Sequence, residues 1–137
     1  MILVDTSAWI EYDRATGSQA DERLSELIAT SGRVAVTEPV AMEVLAGART
    51  DALEARLRRL LDRFELLAFD PVADFSAATR IYRRCRAAGI TPRGMIDCMI
   101  AAVAWRCDAT LLSHDADLAR VAGVMSLGLD AASLRAS

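Results

Sequence analysis

Five carboxylates stand where short apolar segments end or where helices are expected to begin. They are Asp5, Glu43, Asp97, Asp115 and Asp117. Asp5 closes the apolar opening of residues 1–4, and Asp115 lies just beyond the apolar residues 109–112. If the strands are parallel, their carboxyl ends meet in one crevice, where open α/β sheets bind their ligands. Carboxylates gathered there repel one another unless a divalent cation lies between them, and a set of oxygen ligands suits Mg²⁺ or Mn²⁺ rather than zinc.

Each of these acids also has a purely structural interpretation. Asp5 and either acid of the Asp115–Asp117 pair are suitable N-caps for a following helix, and Asp97 could lie on a helix surface. Glu43 is harder to explain in this way, because its neighbours are apolar and a buried, unpaired glutamate is energetically costly. Acids on four separate segments, all expected at one sheet edge, together favour a metal site over a set of unrelated caps.

The apolar pattern predicts strands that alternate with helices. Strands are predicted at residues 2–5, 34–37, 66–69 and 110–112, with a weaker fifth strand at residues 124–127. Helices are predicted from Thr6, over residues 19–29, from Pro39 to Gly47, from Asp51, over 73–88, around 96–103 and over 114–122. This alternation predicts a single α/β domain, residues 1–137, whose central parallel sheet of four or five short strands has helices on both faces.

Side-chain spacing indicates which faces of the predicted helices are buried. In the helix over residues 73–88, the side chains expected to face the core are Phe75, Ala78, Ile81, Tyr82 and Cys85. Trp9 and Trp105 are expected in the core or in an interface, with stacking on a base as the less favoured alternative.

The composition limits the classes of function. All 16 basic residues are Arg, and the absence of Lys excludes a Schiff-base lysine, a P-loop lysine and the lysine of a receiver domain. The net charge of −3 argues against a generally basic nucleic-acid binder.

The 3 cysteines lack C-x-x-C spacing and are expected as free thiols in the cytoplasm. We expect no signal peptide, since Asp5 interrupts the opening apolar run, and no membrane span, since the longest apolar stretch, residues 98–105, is too short.

Four segments of the chain resemble the motifs of PIN domains, in the order that the family shows. The opening I-L-V-D-T-S-A-W is similar to the family's first strand, which ends in an acid followed by Thr-Ser. The stretch T-E-P-V-A-M-E-V-L-A-G resembles the second motif, with Glu43 as its acid. I-D-C-M-I-A-A-V-A resembles the third, carrying Asp97, and L-L-S-H-D-A-D-L resembles the fourth, carrying Asp115 with Asp117 nearby. The resemblance runs from Met1 to about Leu127 and points to the VapC-type toxins, the ribonuclease half of bacterial toxin–antitoxin pairs.

This resemblance implies a three-layer α/β/α PIN-like fold and a metal-dependent endoribonuclease that inhibits translation and growth. The implied partners are an RNA substrate, a cognate antitoxin protein and a second copy of the chain in a homodimer. Two positions depart from the family pattern: Leu118 stands where an aromatic residue is common, and Ser113 stands where Thr is commoner. Both changes are conservative, so the metal site is expected to survive them.

The resemblance also implies roles for individual residues, with Mg²⁺ or Mn²⁺ as the cofactor. The expected catalytic residues are Asp5, Glu43, Asp97 and Asp115. The same four are expected metal ligands, directly or through water, and Asp117 is expected to complete a second, weaker position. Glu43 either ligates the metal or orients and deprotonates the attacking water. The hydroxyl groups expected to fix the carboxylates by hydrogen bonds belong to Thr6, Ser7 and Ser113.

Contacts to an RNA substrate must come from Arg. The densest group lies within residues 80–93, and guanidinium groups suit phosphate oxygens and unpaired bases. Arg93 and Arg86 are the expected substrate-binding residues, and Arg93 is favoured because it lies in the loop before the Asp97 helix. The alternative for residues 80–86 is a solvated helix face. His114, the single histidine, is expected at the surface rather than in catalysis.

Other functions fit the sequence less well. A phosphatase of the haloacid-dehalogenase type also begins with a strand ending in Asp and uses Mg²⁺, but Ser7 stands where its second Asp is needed. A Ser-His-Asp hydrolase would have to use His114 without a G-x-S-x-G elbow. A non-catalytic PIN-like module that binds a partner stays open as an alternative, although none of the expected acids is missing.

Overall fold

Four short parallel strands form the centre of the molecule. In the computed structural model, which describes residues 1–135, they are β1 (Ile2–Val4), β2 (Val34–Val36), β3 (Glu65–Leu66) and β4 (Thr110–Leu112). Their order across the sheet is β3-β2-β1-β4, and every pairing is parallel. The predicted α/β class is confirmed, and β1 lies between two neighbours whose carboxyl ends share its edge of the sheet.

Seven helices connect or follow these strands within residues 1–135. They are α1 (Thr6–Asp13), α2 (Gln19–Ala29), α3 (Glu38–Ala46), α4 (Asp51–Leu61), α5 (Ala73–Ala87), α6 (Met95–Arg106) and α7 (Ala116–Val124). The connections from β1 to β2 and from β2 to β3 cross the sheet in one direction, whereas the connection from β3 to β4 crosses back. Because such crossovers are right-handed, α1 to α4 lie on one face and α5 and α6 on the other, which gives three layers. In the described part of the chain, no helix combines the length and the hydropathy needed to cross a bilayer.

The hydrophobic core lies on both faces of the sheet. Leu3, Val4, Leu111 and Leu112 are fully buried, as expected for parallel strands covered on both sides. On α6 the core includes every residue from 100 to 104, three of them Ala, so this helix packs closely on its neighbours. Trp9 is a core residue, 1% exposed, and its ring centroid lies 5.2 Å from that of Phe64.

The predicted fifth strand at residues 124–127 is wrong. Val124 is the last residue of α7, and Leu118, Val121 and Ala122 are buried on that helix. The helical spacing of apolar residues therefore continues into the stretch predicted as a strand. The chain reaches the sheet only at Leu129, which forms a single parallel bridge with Leu111. The helix predicted over residues 114–122 correspondingly begins and ends two residues later.

Two predictions for the middle of the chain also need correction. The third strand is Glu65–Leu66 rather than residues 66–69, and both of its residues are exposed at the edge of the sheet. Phe75, expected to face the core, is 52% exposed and packs on Phe69, with ring centroids 4.8 Å apart. The buried face of α5 is centred on residues 78, 81 and 85, and Phe75 lies roughly 90° around the helix from that centre.

A buried ion pair joins the start of α5 to the end of α6. Arg106 Nε and Nη2 donate to the two carboxylate oxygens of Asp74 at 3.0 and 2.8 Å, and Nη2 also donates to the carbonyl of Ala68 at 2.7 Å. Asp74 is 1% exposed. Burial acts to raise the pKa of Asp74, but hydrogen bonds from Arg106 and from the backbone N–H of Asp70 hold it below its ordinary value.

We expect Arg106→Met to lower the free energy of unfolding by about 2 kcal/mol, because a buried carboxylate then loses its cation while Arg106 itself is partly exposed. Urea unfolding at pH 7 measures the change. Arg58→Met is the matched control, because Arg58 pairs with Glu54 on the surface of α4 and its loss should leave the unfolding curve unchanged. Equal effects of the two substitutions would contradict the assigned burial of the Asp74 pair.

Candidate active site

A cavity of about 490 Å³ opens at the edge of the sheet where the strands end. Its walls come from the start of α1, from α3, from the loop before α6 with the first turn of that helix, and from the residue before α7. The lining residues are Asp5, Thr6, Ser7, Ile10, Glu43, Arg93, Gly94, Ile96, Asp97 and Asp115. The structure therefore brings four of the five carboxylates singled out from the sequence to one cavity. Asp117 lies beside it, in the first turn of α7.

Asp5 is both the N-cap of α1 and a wall of the cavity. Its Oδ1 accepts hydrogen bonds from the backbone N–H of Ala8 at 3.0 Å and from Ser7 Oγ at 2.7 Å, and its Oδ2 accepts from Ser113 Oγ at 2.8 Å. Burial, with a smaller contribution from the negative charge of Asp115, raises the pKa of Asp5 to about 6 in spite of these donors. Asp5 therefore caps α1 and lines the cavity at the same time.

Glu43 reaches the cavity from α3. It is half-buried, and its Oε1 accepts a hydrogen bond from Thr6 Oγ1 at 2.7 Å. Thr6 follows Asp5 directly, so the first turn of α1 donates hydrogen bonds both to Asp5, just after β1, and to Glu43 on α3. From the sequence, Thr6 is expected to donate to a site carboxylate, and in the structure it donates to Glu43.

Asp97 lies in the first turn of α6, and its pKa is raised further than that of Asp5. Burial, together with the charges of Asp115, Asp5 and Glu43, raises the pKa of Asp97 to about 7, while Arg93 opposes the rise. Within residues 1–135 no hydroxyl or N–H donor satisfies its carboxylate. Asp97 therefore lies within electrostatic reach of the other three cavity carboxylates.

Asp115 and Asp117 are bridged by one arginine. Arg93 Nη2 donates to both carboxylate oxygens of Asp115, at 3.0 and 2.8 Å, and Arg93 Nε contacts Asp117 Oδ2. Asp115 is also the N-cap of α7, since its Oδ1 accepts from the backbone N–H of Asp117 at 2.9 Å. Asp117 has a second cation in Arg120, whose Nη1 lies 2.5 Å from Asp117 Oδ1.

Serine hydroxyls connect the carboxyl ends of β1 and β4. Ser113 is fully buried and donates to Asp5, and its Oγ accepts from the backbone N–H of Asp115 at 3.0 Å. Ser7 Oγ accepts from the backbone N–H of His114 at 2.8 Å. Ser133, which the sequence did not single out, accepts from the backbone N–H of Ser113 at 3.2 Å and is 3% exposed. Ser133 lies in a segment without helical or strand periodicity, so no pattern pointed to it.

Two residues considered from the sequence do not line the cavity. Arg86, an expected substrate-binding residue, lies on the exposed face of α5 with its guanidinium 5.9 Å from the ring centroid of Tyr82. His114 Nε2 lies 3.5 Å from Glu11 Oε1. Of the arginines proposed to contact substrate, only Arg93 is brought to the carboxylates.

The donor atoms of this cavity suit a divalent cation. The ligand candidates are carboxylate and hydroxyl oxygens, which hard cations prefer, and Asp97 carries negative potential from three neighbouring acids that Arg93 offsets only in part. In residues 1–135, however, no three acidic, thiol or imidazole side chains lie close enough together to hold an ion as they stand. Hydroxyl groups hold Asp5 and Glu43, and Arg93 holds Asp115. An ion would therefore have to draw these side chains inward.

Comparison with known proteins identifies the family. A model described as "PIN domain" matches residues 2–124. The chain is 46% identical over 136 residues to ribonuclease VapC11 of Mycobacterium tuberculosis and to a VapC ribonuclease of Mycobacterium bovis, covering 98% of this chain and 100% of each relative. This chain belongs to the PIN-domain family. The resemblance of its four motifs to that family is confirmed.

Solved structures support the fold of this PIN domain. VapBC2 of Rickettsia felis, crystallised with a DNA fragment from its promoter, matches with a TM-score of 0.76 over 98% of this chain and 99% of that chain, at 19% identity. A toxin–antitoxin complex from Klebsiella pneumoniae matches with a TM-score of 0.65 over 84% of this chain and 87% of that chain, at 21% identity. At such low identity the likeness concerns the fold alone. It confirms the predicted PIN-like α/β/α architecture.

Asp97 and Asp5 should make the metal-free PIN domain less stable as the pH rises. Their pKa values, about 7 and about 6, lie above the ordinary value of 3.8, so the folded state binds more protons than the unfolded state between those limits. The stabilising contribution is complete below about pH 4 and is lost as the pH rises through the folded pKa values.

Asp97→Asn is therefore expected to raise the melting temperature at pH 8 in the presence of a chelator, with a much smaller gain at pH 4.5. Thermal unfolding followed by circular dichroism measures both values. Asp74→Asn is the matched control and should change stability in the opposite direction at pH 8, because Asp74 has a lowered pKa and a bonded cation. A lower melting temperature for Asp97→Asn at pH 8 would contradict this electrostatic description.

Proposed function

We propose that this protein is a metal-dependent endoribonuclease and the toxin component of a bacterial toxin–antitoxin pair, working as one nuclease domain over residues 1–137. The observation that carries the proposal is the convergence of Asp5, Glu43, Asp97 and Asp115 on one open cavity. The two mycobacterial relatives, both VapC ribonucleases matched over their full length, support it. Acids with raised pKa values in a cleft are typical of functional sites rather than of groups that stabilise the fold.

The four cavity carboxylates would hold Mg²⁺ or Mn²⁺, and Asp117 would complete a second, weaker position. A divalent ion bound there would lower the pKa of a coordinated water and neutralise charge on the phosphodiester. Glu43 is suited to orient that water and to accept its proton. Its Oε1 is held by Thr6, and within residues 1–135 its Oε2 accepts no hydrogen bond. Asp97 and Asp5 are suited to ligation, because burial disfavours their ionised forms until a cation is present.

An RNA backbone would be repelled by this cavity without a cation, because four carboxylates face one arginine there. The metal would therefore serve binding as well as chemistry. Arg93 is 70% exposed at the rim and is the proposed contact to a phosphate next to the scissile bond. Ile10 and Ile96 supply apolar wall on which a ribose or base can rest.

We further propose three partners: an RNA substrate, a cognate antitoxin and a second copy of the chain in a homodimer, all in the cytoplasm. The structural relative from Klebsiella pneumoniae is a toxin–antitoxin complex, which supports an antitoxin partner for this chain. The described cysteines are free, and Cys85 and Cys98 are buried, which suits a reducing compartment.

The proposal predicts cleavage of RNA that depends on both metal and Asp97. Purified protein is incubated with total transfer RNA and with single-stranded RNA, in chelator or with Mn²⁺ or Mg²⁺. Asp97→Asn should lower cleavage more than about 100-fold, since loss of the hydrogen-bond partners of metal ligands alone typically costs about 10- to 100-fold. Glu54→Gln, which removes an exposed acid on α4, should have no effect. Cleavage that persists in chelator, or full activity of Asp97→Asn, would reject the proposal, and inactivity of all variants would favour the non-catalytic module.

Ser113 should contribute to metal affinity through Asp5. Ser113→Ala removes the donor to Asp5 Oδ2 and should weaken Mn²⁺ binding by about 10- to 100-fold, measured by titration calorimetry on the folded variant. Ser113→Thr keeps the hydroxyl and should restore binding, and Ser76→Ala on the exposed face of α5 is the control. Wild-type affinity in Ser113→Ala would show that the hydroxyl does not position Asp5.

A further inference from the structure

Arg93 is the one cation on the cavity wall in the described part of the chain. It comes from the loop between α5 and α6, four residues before Asp97, and its guanidinium bridges Asp115 and Asp117. Both of these acids start α7, and both belong to the proposed metal ligands. The same side chain is thus bonded to the carboxylates that a divalent ion would need.

The bonds of Arg93 and an ion compete for the same oxygen atoms. Asp115 Oδ1 already accepts from the backbone N–H of Asp117, and both Asp115 oxygens accept from Arg93 Nη2. Little lone-pair capacity therefore remains on Asp115 for an ion while Arg93 is in place.

Arg93 is placed so that it can leave these acids. Its side chain is 70% exposed, and exposed ion pairs of this kind contribute little stability. Pro92 before it is buried, which anchors the loop, and Gly94 after it has open space where a Cβ would stand. The guanidinium can therefore turn toward solvent, or toward a phosphate at the rim, without moving the start of α6.

Arg120 differs from Arg93 in ways that make it a control. Arg120 lies on α7 and bonds only Asp117, three residues earlier on the same helix. If Arg93 leaves, Asp117 keeps a cation whereas Asp115 loses its own. This asymmetry makes Asp115 the better ligand and Asp117 the weaker one.

We propose that Arg93 is a tethered cation that holds Asp115 and Asp117 in the metal-free site and, once a divalent ion replaces it there, binds a phosphate of the RNA. The proposal rests on the metal-dependent ribonuclease function proposed above. Arg93 is then a positioning residue for the acids and a contact for the substrate. Because binding linkage is reciprocal, RNA that engages Arg93 also strengthens metal binding.

The first test is Mn²⁺ titration calorimetry of the metal-free protein without RNA. Arg93→Ala should bind Mn²⁺ roughly 3- to 10-fold more tightly than the wild type, as expected for loss of two exposed ion pairs. Arg93→Lys should fall between the two, because it keeps the charge but not the planar fork. Arg120→Ala should stay close to the wild type. Unchanged or weaker binding by Arg93→Ala, or equal gains in Arg93→Ala and Arg120→Ala, would overturn the proposal.

A second test follows the guanidinium itself. In ¹H–¹⁵N spectra of arginine Nε groups, the Arg93 signal, identified by its absence from Arg93→Lys, should shift on addition of Mg²⁺ while the Arg120 signal does not. An Arg93 signal unaffected by saturating Mg²⁺ would overturn the displacement. If neither the wild type nor any variant binds Mn²⁺, the proposed function fails as well, whereas equal binding by all four proteins rejects only the role of Arg93.

Discussion

Repulsion between carboxylates at the carboxyl edge of the sheet is the constraint on which the rest of this site depends. The strength of this repulsion is evident at Asp97, where burial and three neighbouring acids raise the pKa to about 7. The chain offsets the repulsion in three ways. Serine and threonine hydroxyls donate to Asp5 and Glu43, the N-termini of α1, α6 and α7 lie next to acids, and Arg93 pairs with Asp115. Asp97 receives the least of this compensation, which leaves a place for a further cation.

The sheet produces this arrangement through register and through small side chains. Val4 pairs with Leu112, and the backbone N–H of Asp5 donates to the carbonyl of Leu112 at 3.0 Å, so Asp5 and Ser113 leave their strands side by side. The Ala-rich interior of α6 packs closely on its neighbours, which brings Asp97 to the same edge. The site therefore results from the order of the parallel strands together with close packing of one helix.

The convergence of the acids could be predicted from the sequence. The acids lie just after predicted strands or near the start of predicted helices, and in a parallel sheet these positions share one edge. Asp5 shows the limit of such reasoning. From the sequence, an N-cap and a residue of the site are alternative roles for Asp5, yet its carboxylate caps α1 and also lines the cavity. The pairing of Arg93 with Asp115 could not be predicted, since it depends on the path of a loop. The predictions of a fifth strand and of a buried Phe75 are wrong because a short apolar run fits both periods and because a helix face is defined only to within a residue.

A divalent cation bound among these acids would neutralise their repulsion, and anomalous diffraction from a crystal soaked in Mn²⁺ can detect that cation directly. We expect an anomalous peak inside the cavity, surrounded by oxygens of Asp97 and Asp115, and of Asp5 directly or through water. Saturating Mn²⁺ with no peak in the cavity, or with the carboxylates of Asp97 and Glu43 turned away from any bound ion, would contradict this expectation.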